Sequence, residues 1–102
     1  MDVETAIKRI IKTGKVAYGE RDVLRSLSGD RVKLVIISKN MPREAMDRMR
    51  QYTGISETPL FTFKGSSLEL GEVCGKPFLV SALAVLDQGD VNIDELTKGT
   101  KA

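Results

Sequence analysis

The residues of this 102-residue chain that could do chemistry favour binding over catalysis. Histidine is absent, so the commonest general base is missing and neither a Ser-His nor a Cys-His nucleophile pair can form. The only cysteine is Cys74, which excludes an intrachain disulfide and a cysteine metal cluster. All seven arginines lie among residues 1–50, and arginine suits bidentate contacts with phosphates and base edges. We therefore expect no enzymatic activity, no cofactor and no bound metal.

The charge of the chain is divided between its two halves. Residues 1–50 hold twelve basic and seven acidic residues, whereas residues 51–102 hold four basic and seven acidic residues. This division predicts one basic face and one acidic face, with an anionic partner on the basic one. A chain whose arginines are scattered over solvated helix surfaces would have the same composition, so the charge alone leaves both interpretations open.

Three loops combine residue types that could hold an anionic partner. In the first, Gly19 stands where a helix begins, and its bare backbone could approach a phosphate while Lys15 and Arg21 supply countercharge. The alternative is a plain glycine N-cap with solvated charges beside it. The spacing does not match a phosphate-binding P-loop.

The second loop follows an apolar strand and ends at Asn40. An asparagine amide donates and accepts hydrogen bonds at once, so it could pair with a purine edge. The same side chain could instead cap the helix that follows.

The third loop runs from Gly75 to Val80 and is stiffened by Pro77. An exposed Phe78 beside Lys76 could stack on an unpaired base. Phe78 could equally be the first core residue of the strand that follows. Cys74, just before this loop, is interpreted as a small buried hydrophobic residue, because no histidine can activate it.

Apolar periodicity predicts five helices that alternate with four strands. The strands are expected at residues 15–18, 34–37, 59–63 and 78–86, and the helices at residues 3–13, from Val23 to near Gly29, from Pro42 to Gly54, from Ser66 through Val73, and from Ile93 to Leu96. The runs 34–37 and 78–86 are predicted as central strands, since they are apolar on both faces, and the short run 15–18 is predicted as an edge strand. Alternation with doubly buried strands predicts an α/β fold, a three-layer α/β/α sandwich with a sheet of about four strands. One domain spans residues 1–102, with residues 97–102 as a loose tail.

Several local expectations accompany these elements. Asp2 is expected to cap the first helix, and Gly14 to end it in a left-handed conformation. Ser66 and Glu69 match a capping box. The inner side of the third helix is expected to carry Ala45, Met46, Met49 and Tyr52, and Ser81 is expected to be buried inside the last strand.

The order of the loops carries a prediction about strand direction. Gly19 and Asn40 follow their strands, whereas the loop of residues 75–78 precedes its strand. The three loops can share one end of the sheet only if the last strand runs antiparallel to the first two. A common site therefore requires a mixed sheet.

Several segments in this order resemble one known family. They are Thr13-Gly14-Lys15 with Gly19, the strand of residues 33–37, Asn40 with Pro42, residues 65–71, and Gly75-Lys76-Pro77 leading into residues 80–85. Over nearly its whole length the chain is similar to the archaeal and eukaryotic-type large-subunit ribosomal protein thirty (L-thirty-e) family, a branch of the kink-turn RNA-binding superfamily. The run Val-Ser-Ala-Leu-Ala-Val at residues 80–85 is closer to the archaeal members.

The resemblance implies a mixed four-stranded sheet and binding to the kink-turn, a sharply bent RNA internal loop with sheared G·A pairs and a short bulge. The family's RNA-contacting positions match Gly19, Arg21, Asn40 and the loop of Gly75, Lys76, Pro77, Phe78, Leu79, Val80 and Ser81, with Lys15 as a further contact to the RNA backbone. Better-known kink-turn binders carry an Asn-Glu pair where this chain has Arg21 and Asp22, a departure that matches the L-thirty-e branch.

The function implied is that of a non-catalytic constituent of the large ribosomal subunit in the cytoplasm, with rRNA and other ribosomal components as partners. Outside the ribosome we expect a monomer, with no small-molecule substrate. No membrane association is expected, because no apolar run reaches the roughly 18 residues of a bilayer span and the first residues lack the basic start of a signal peptide. Two alternatives stay open: a free kink-turn protein of an RNA modification or regulatory complex, and a small protein-interaction module whose basic face binds an acidic partner.

Overall fold

The computed structural model describes residues 3–29 and 32–91, and over these residues four helices alternate with four strands. They follow one another as α1 (Val3–Thr13), β1 (Lys15–Tyr18), α2 (Glu20–Gly29), β2 (Leu34–Ser38), α3 (Arg43–Ile55), β3 (Leu60–Phe63), α4 (Ser67–Val73) and β4 (Ala82–Asp87). The predicted alternation is confirmed through β4. The cap at Asp2, the helix at residues 93–96 and the tail at residues 97–102 fall outside the described residues. No helix among those described is long and apolar enough to cross a membrane.

The four strands form one mixed sheet in the order β1-β4-β2-β3. Strand β4 runs antiparallel to both of its neighbours, while β2 and β3 are parallel. The two runs predicted as central strands are therefore central, and all five residues of β2 are buried. The strand of residues 15–18 lies at one side of the sheet, as predicted, and the antiparallel direction of the last strand is confirmed.

Helices cover both faces of the sheet, which confirms the three-layer sandwich. Leu34 and Ile36 of β2 face α1 and α4, where Ile7, Ile10 and Leu70 complete one core cluster. Val35 and Ile37 face the other way and pack with Val23 and Met49, from α2 and α3. Because successive strand side chains point to opposite faces, one apolar run supplies both cores.

The end of α1 differs from the prediction. Gly14 does not have a positive φ, so the helix does not end in a left-handed conformation. A Cβ atom on Gly14 would instead overlap the carbonyl oxygen of Asp87, at the end of β4. Glycine is needed at this position for the close approach of two backbone segments.

Helix α3 extends one residue beyond Gly54, to Ile55, and its inner face is Ala45, Met49 and Thr53. The prediction that Tyr52 lies on this face is wrong, because its side chain is 41% exposed. Thr53 can occupy the interior because its hydroxyl donates to the carbonyl of Met49 at 2.8 Å. A buried hydroxyl whose hydrogen bond is made locally costs little to bury.

Strand β4 begins at Ala82 and not at Phe78. The amide of Val80 donates to the carbonyl of Ser67 in α4 at 3.1 Å, so Val80 is bonded to α4 and not to a neighbouring strand. Ser81 therefore precedes the strand and is only half-buried, contrary to the prediction. The predicted cap at the start of α4 is present, with the Ser66 hydroxyl accepting from the Glu69 amide at 3.2 Å.

Candidate nucleic-acid interface

One edge of the sheet brings together the three polar loops that the sequence singles out. Because β4 is antiparallel to β1 and β2, the ends of β1 and β2 and the start of β4 meet there. Two backbone hydrogen bonds join the loops, from the Gly19 amide to Ala82 O at 2.9 Å and from the Ser38 amide to Ser81 O at 2.8 Å. We call this region, formed by residues 19–21, 38–40 and 75–81, the open edge.

Gly19 has the backbone geometry of a glycine and open space around it. Its φ is +92°, a conformation that L side chains rarely adopt, and among the described residues no atom beyond its chain neighbours lies within 4 Å of where a Cβ would stand. Its carbonyl accepts from the Val23 amide at 3.0 Å, so Gly19 is the N-cap residue of α2. The two interpretations of Gly19 are compatible, because a glycine N-cap can also leave its backbone open to a ligand.

The charges at the start of α2 are arranged so that Arg21 is exposed and Glu20 is paired. The carboxylate of Glu20 accepts from Arg48 Nε of α3 at 2.8 Å. This hydrogen bond to Glu20 raises the pKa of Arg48 above its ordinary value. Pairing of Glu20 reduces the negative charge beside Arg21, which favours an anion there.

Asn40 does not cap the helix that follows it. The N-cap residue of α3 is Pro42, and no side chain of the described residues caps this helix. The Asn40 Oδ1 atom instead accepts from the Ser67 amide at 2.9 Å, in the first turn of α4. The side chain is exposed, and Nδ2 has no protein acceptor among the described residues. Asn40 therefore presents a donor pair to a ligand while its oxygen holds α4.

The loop of residues 75–81 is fixed against α4 through its backbone. Gly75 has a φ of +70°, and the amide of Lys76 donates to the carbonyl of Gly71 at 3.0 Å. A Cβ on Gly71 would overlap the carbonyl oxygen of Phe78. Gly71 is thus a supporting residue that the sequence analysis missed. The signal was present, because an isolated glycine inside a helix usually has a packing reason.

The loop turns large apolar side chains outward. Phe78 is 52% exposed and Leu79 64% exposed, whereas Val80 is buried in the core. The interpretation of Phe78 as the first core residue of a strand is therefore wrong. Leu68 of α4 and Pro77 join Phe78 and Leu79 around one open recess, which also includes Lys76. An apolar surface beside a cation is what an unpaired base can stack on.

Tyr18 also belongs to this edge, although the sequence analysis placed it only in an edge strand. Its ring centroid lies 6.4 Å from that of Phe78, with the planes at 86°. The Lys76 Nζ atom stands over the Tyr18 ring, 4.9 Å from its centroid. These contacts join residues 58 or more positions apart in the sequence, which local patterns do not encode.

Lys15 lies at the other end of β1, where it pairs in the sheet with Asp87. A strand rises about 3.3 Å per residue, so the Cα of Lys15 is about 13 Å from that of Gly19. The structure brings Gly19, Arg21, Asn40 and residues 75–81 together and does not bring Lys15 to them. We call the region of residues 13–15 and 87–90 the closed edge.

Cys74 is buried between α4 and the sheet, as predicted. Burial raises the pKa of its thiol to about 11, so the group is protonated at neutral pH. A protonated, buried thiol is neither a nucleophile nor a metal ligand. Its neighbours make it part of the core that supports the loop.

Comparison with known proteins identifies the family. Residues 1–95 match the Ribosomal protein L7Ae/L30e/S12e/Gadd45 family. The chain belongs to this family. It is 40% identical over 96 residues to the large ribosomal subunit protein eL30 of Methanosphaera stadtmanae, with 94% of this chain and 98% of that protein covered. It is 42% identical over 98 residues to eL30 of Methanocaldococcus jannaschii, with 96% of this chain and 89% of that protein covered. The resemblance to the family is confirmed.

Proposed function

We propose that this protein is a structural, non-catalytic constituent of the large ribosomal subunit that binds kink-turn rRNA through the open edge. The observation that carries the proposal is the assembly of three loops, far apart in sequence, at one edge of the sheet by direct backbone hydrogen bonds. Family membership and the names of the archaeal relatives support the ribosomal setting. The ribosome in the cytoplasm is then its place of action, and it is a monomer until it is assembled.

Phosphate binding is assigned to Arg21 and Lys76. Arg21 is exposed beside Gly19, whose surroundings are open, and Lys76 adjoins the exposed aromatic loop. Contacts of this kind position an RNA and account for most of the salt dependence of its binding. Lys15 is left out of the site because it lies at the closed edge.

Base recognition is assigned to Asn40. Its Nδ2 donors are available, and they match the acceptors that purines present on their edges. Its Oδ1 atom holds the amide of Ser67 and thereby fixes the direction of the side chain. The proposed contact is thus donation to a purine acceptor from an amide that is already oriented.

The loop carrying Phe78 and Leu79 is assigned to the bulge of the kink-turn. A bulged base is unstacked in RNA and can be stacked on an aromatic ring or covered by an aliphatic side chain. Phe78 and Leu79 are the exposed apolar side chains placed beside Lys76, so a base and its phosphate could be bound together.

The proposal is tested by binding a short kink-turn RNA and a perfect duplex of equal length in a filter assay. We expect the kink-turn to bind at least tenfold more tightly, because a plain duplex offers only phosphate contacts to the open edge. Equal affinities would contradict the kink-turn assignment.

Co-sedimentation tests the ribosomal setting separately. The protein is expected to sediment with large ribosomal subunits at physiological salt. Tight kink-turn binding without co-sedimentation would point instead to a free RNA-binding protein of a modification or regulatory complex.

A further inference from the structure

The aromatic loop of the open edge rests on a residue of the sheet. Tyr18 is the last residue of β1, directly before Gly19, and is paired with Leu83 of β4. Its half-buried ring packs against the core cluster on the α1 and α4 side of the sheet. Burial and the neighbouring Cys74 raise its pKa, which fits a half-buried ring.

Tyr18 contacts two of the three side chains of the loop that are assigned to RNA, Phe78 and Lys76. Its ring meets that of Phe78 in an edge-to-face arrangement, with centroids 6.4 Å apart and planes at 86°. Offset and edge-to-face pairs at this separation are the favoured aromatic geometry. The Lys76 ammonium lies 4.9 Å from the Tyr18 ring centroid, within the range of a cation–π interaction. One ring therefore restrains both an aromatic side chain and a flexible cation.

The two partners of Tyr18 need such a restraint. Phe78 lies outside β4 and is half exposed, so strand pairing does not fix it. Lys76 has four rotatable side-chain bonds, and ordering such a chain on binding lowers affinity. The backbone of Tyr18, in contrast, is fixed by pairing with β4, and its ring packs against the core cluster.

We propose that Tyr18 is a positioning residue that holds Phe78 and Lys76 in the arrangement that receives an unstacked RNA base and its phosphate. This inference rests on the proposed function and adds to it a residue that touches no RNA itself. The edge-to-face contact leaves about half of the Phe78 surface exposed for a base. Orientation before binding removes part of the ordering that RNA would otherwise impose.

The test compares Tyr18→Leu, which removes the ring, with Tyr18→Phe, which keeps it. The ring contacts correspond to a loss of about threefold to tenfold in kink-turn affinity for Tyr18→Leu, converted from the usual strength of aromatic pairs. Tyr18→Phe should stay within about twofold of the wild type, because the pair and the cation–π contact need only the ring. Affinity for a perfect duplex should fall less than affinity for the kink-turn in Tyr18→Leu, because a duplex offers no unstacked base to Phe78. An equal loss in both variants would overturn the proposal.

A double-mutant cycle separates positioning from general destabilisation. If Tyr18 acts through Phe78, Tyr18→Leu should weaken kink-turn binding much less in a Phe78→Ala background than in the wild type. A kink-turn carrying 2-aminopurine at the bulged position reports stacking through its fluorescence, which stacking quenches. The fluorescence should be quenched less when the RNA binds the Tyr18→Leu protein than when it binds the Tyr18→Phe protein. Equal losses in both backgrounds, or unchanged quenching, would contradict the assignment.

The arrangement of the two rings can also be tested in the free wild-type protein, without relying on a variant that folds. The Tyr18 and Phe78 rings should show a nuclear Overhauser effect in the absence of RNA, and a missing effect would overturn the arrangement before binding. Equal binding of kink-turn and duplex by the wild type would contradict the proposed function, and the role of Tyr18 with it. A preserved preference together with an unaffected Tyr18→Leu variant would contradict only the role of Tyr18.

Discussion

Strand β1 has a glycine at each end, and the two glycines serve opposite purposes. At the closed edge, Gly14 lies against the backbone of Asp87, with no room for a Cβ. At the open edge, Gly19 has a φ of +92°, and the part of the chain that the structure describes leaves the Cβ position of Gly19 open. The same residue type thus allows contact within the chain at one end and leaves a surface accessible at the other.

The surroundings of the two glycines extend this contrast. At the closed edge, the Arg9 guanidinium donates to Asp90 at 3.0 Å, and the Asp90 amide donates to the Thr13 hydroxyl at 3.3 Å. Side chains there satisfy one another and tie α1 to the turn after β4. At the open edge, Arg21, Asn40 and Phe78 are exposed. Asn40 and Phe78 each make one contact within the chain, to Ser67 and Tyr18, and leave the rest of the side chain exposed. This end of the sheet is therefore the one suited to an external partner.

The largest expected effect of breaking this contrast is on stability, from Gly14→Ala. The added methyl overlaps the Asp87 carbonyl, and overpacking against backbone is expected to destabilise the fold by about 3 kcal/mol. Urea unfolding measures the loss. Gly29→Ala is the matched control, because Gly29 has no positive φ and no close neighbour among the described residues, and it should be close to neutral. A Gly14→Ala protein as stable as Gly29→Ala would contradict the close approach.

The next effect concerns Asn40→Ala, which removes a ligand donor and a contact to α4 together. We expect discrimination between kink-turn and duplex RNA to fall by about 1–3 kcal/mol. Loss of the bond to Ser67 is expected to lower stability by about 1 kcal/mol. Paired binding curves and thermal unfolding of one variant measure both. An unchanged affinity ratio with a lowered melting temperature would restrict Asn40 to its structural role.

A smaller effect is expected on the salt dependence of RNA affinity when cations at the two edges are removed. Arg21→Ala and Lys76→Ala should each reduce the slope of log affinity against log salt by about 0.7 to 0.9. Lys15→Ala, at the closed edge, should leave the slope unchanged because that residue lies about 13 Å from Gly19 along the strand. Equal reductions from all three would show that the RNA covers both edges.

The smallest effect is a pH dependence at the closed edge. The hydrogen bond from Arg9 holds the pKa of Asp90 below its ordinary value of 3.8, although the carboxylate is exposed. A carboxylate with a lowered pKa in the folded state stabilises the protein above its unfolded pKa, and this stabilisation is lost as the pH falls below about 4. Asp90→Asn should therefore flatten the acid side of the stability profile slightly, and more at low salt than at high salt. A stability profile identical to that of the wild type would show that the ion pair of Arg9 and Asp90 does not stabilise this edge.

The sequence predicts much of the fold because apolar runs report burial directly. The run 34–37 is apolar at every position, which only a doubly covered strand requires. The run 78–86 misleads at its start because Phe78 and Leu79 are apolar but exposed. Hydrophobicity cannot separate a side chain buried by the protein from one left available to a partner.

The candidate site is predictable in its loops and not in its contacts. Order along the chain predicts that Gly19, Asn40 and residues 75–78 share one edge only if the last strand is antiparallel, and the structure meets this condition. The partner of Asn40, the support from Tyr18 and the position of Lys15 depend on contacts between residues distant in sequence. The sequence analysis groups Lys15 with Arg21 because they are close in sequence. Lys15, however, begins the four-residue strand β1, whereas Arg21 lies beyond the other end of that strand.

Chemical-shift mapping with a kink-turn RNA tests most directly whether the open edge is the binding surface. In a titration of the isotopically labelled protein, the amides of Gly19, Arg21, Asn40 and residues 75–81 are expected to shift. The amide chemical shifts of Gly14, Lys15 and residues 87–90 should not change, since the closed edge is occupied by contacts within the chain. Shifts concentrated at the closed edge, or spread evenly over both edges, would contradict the account.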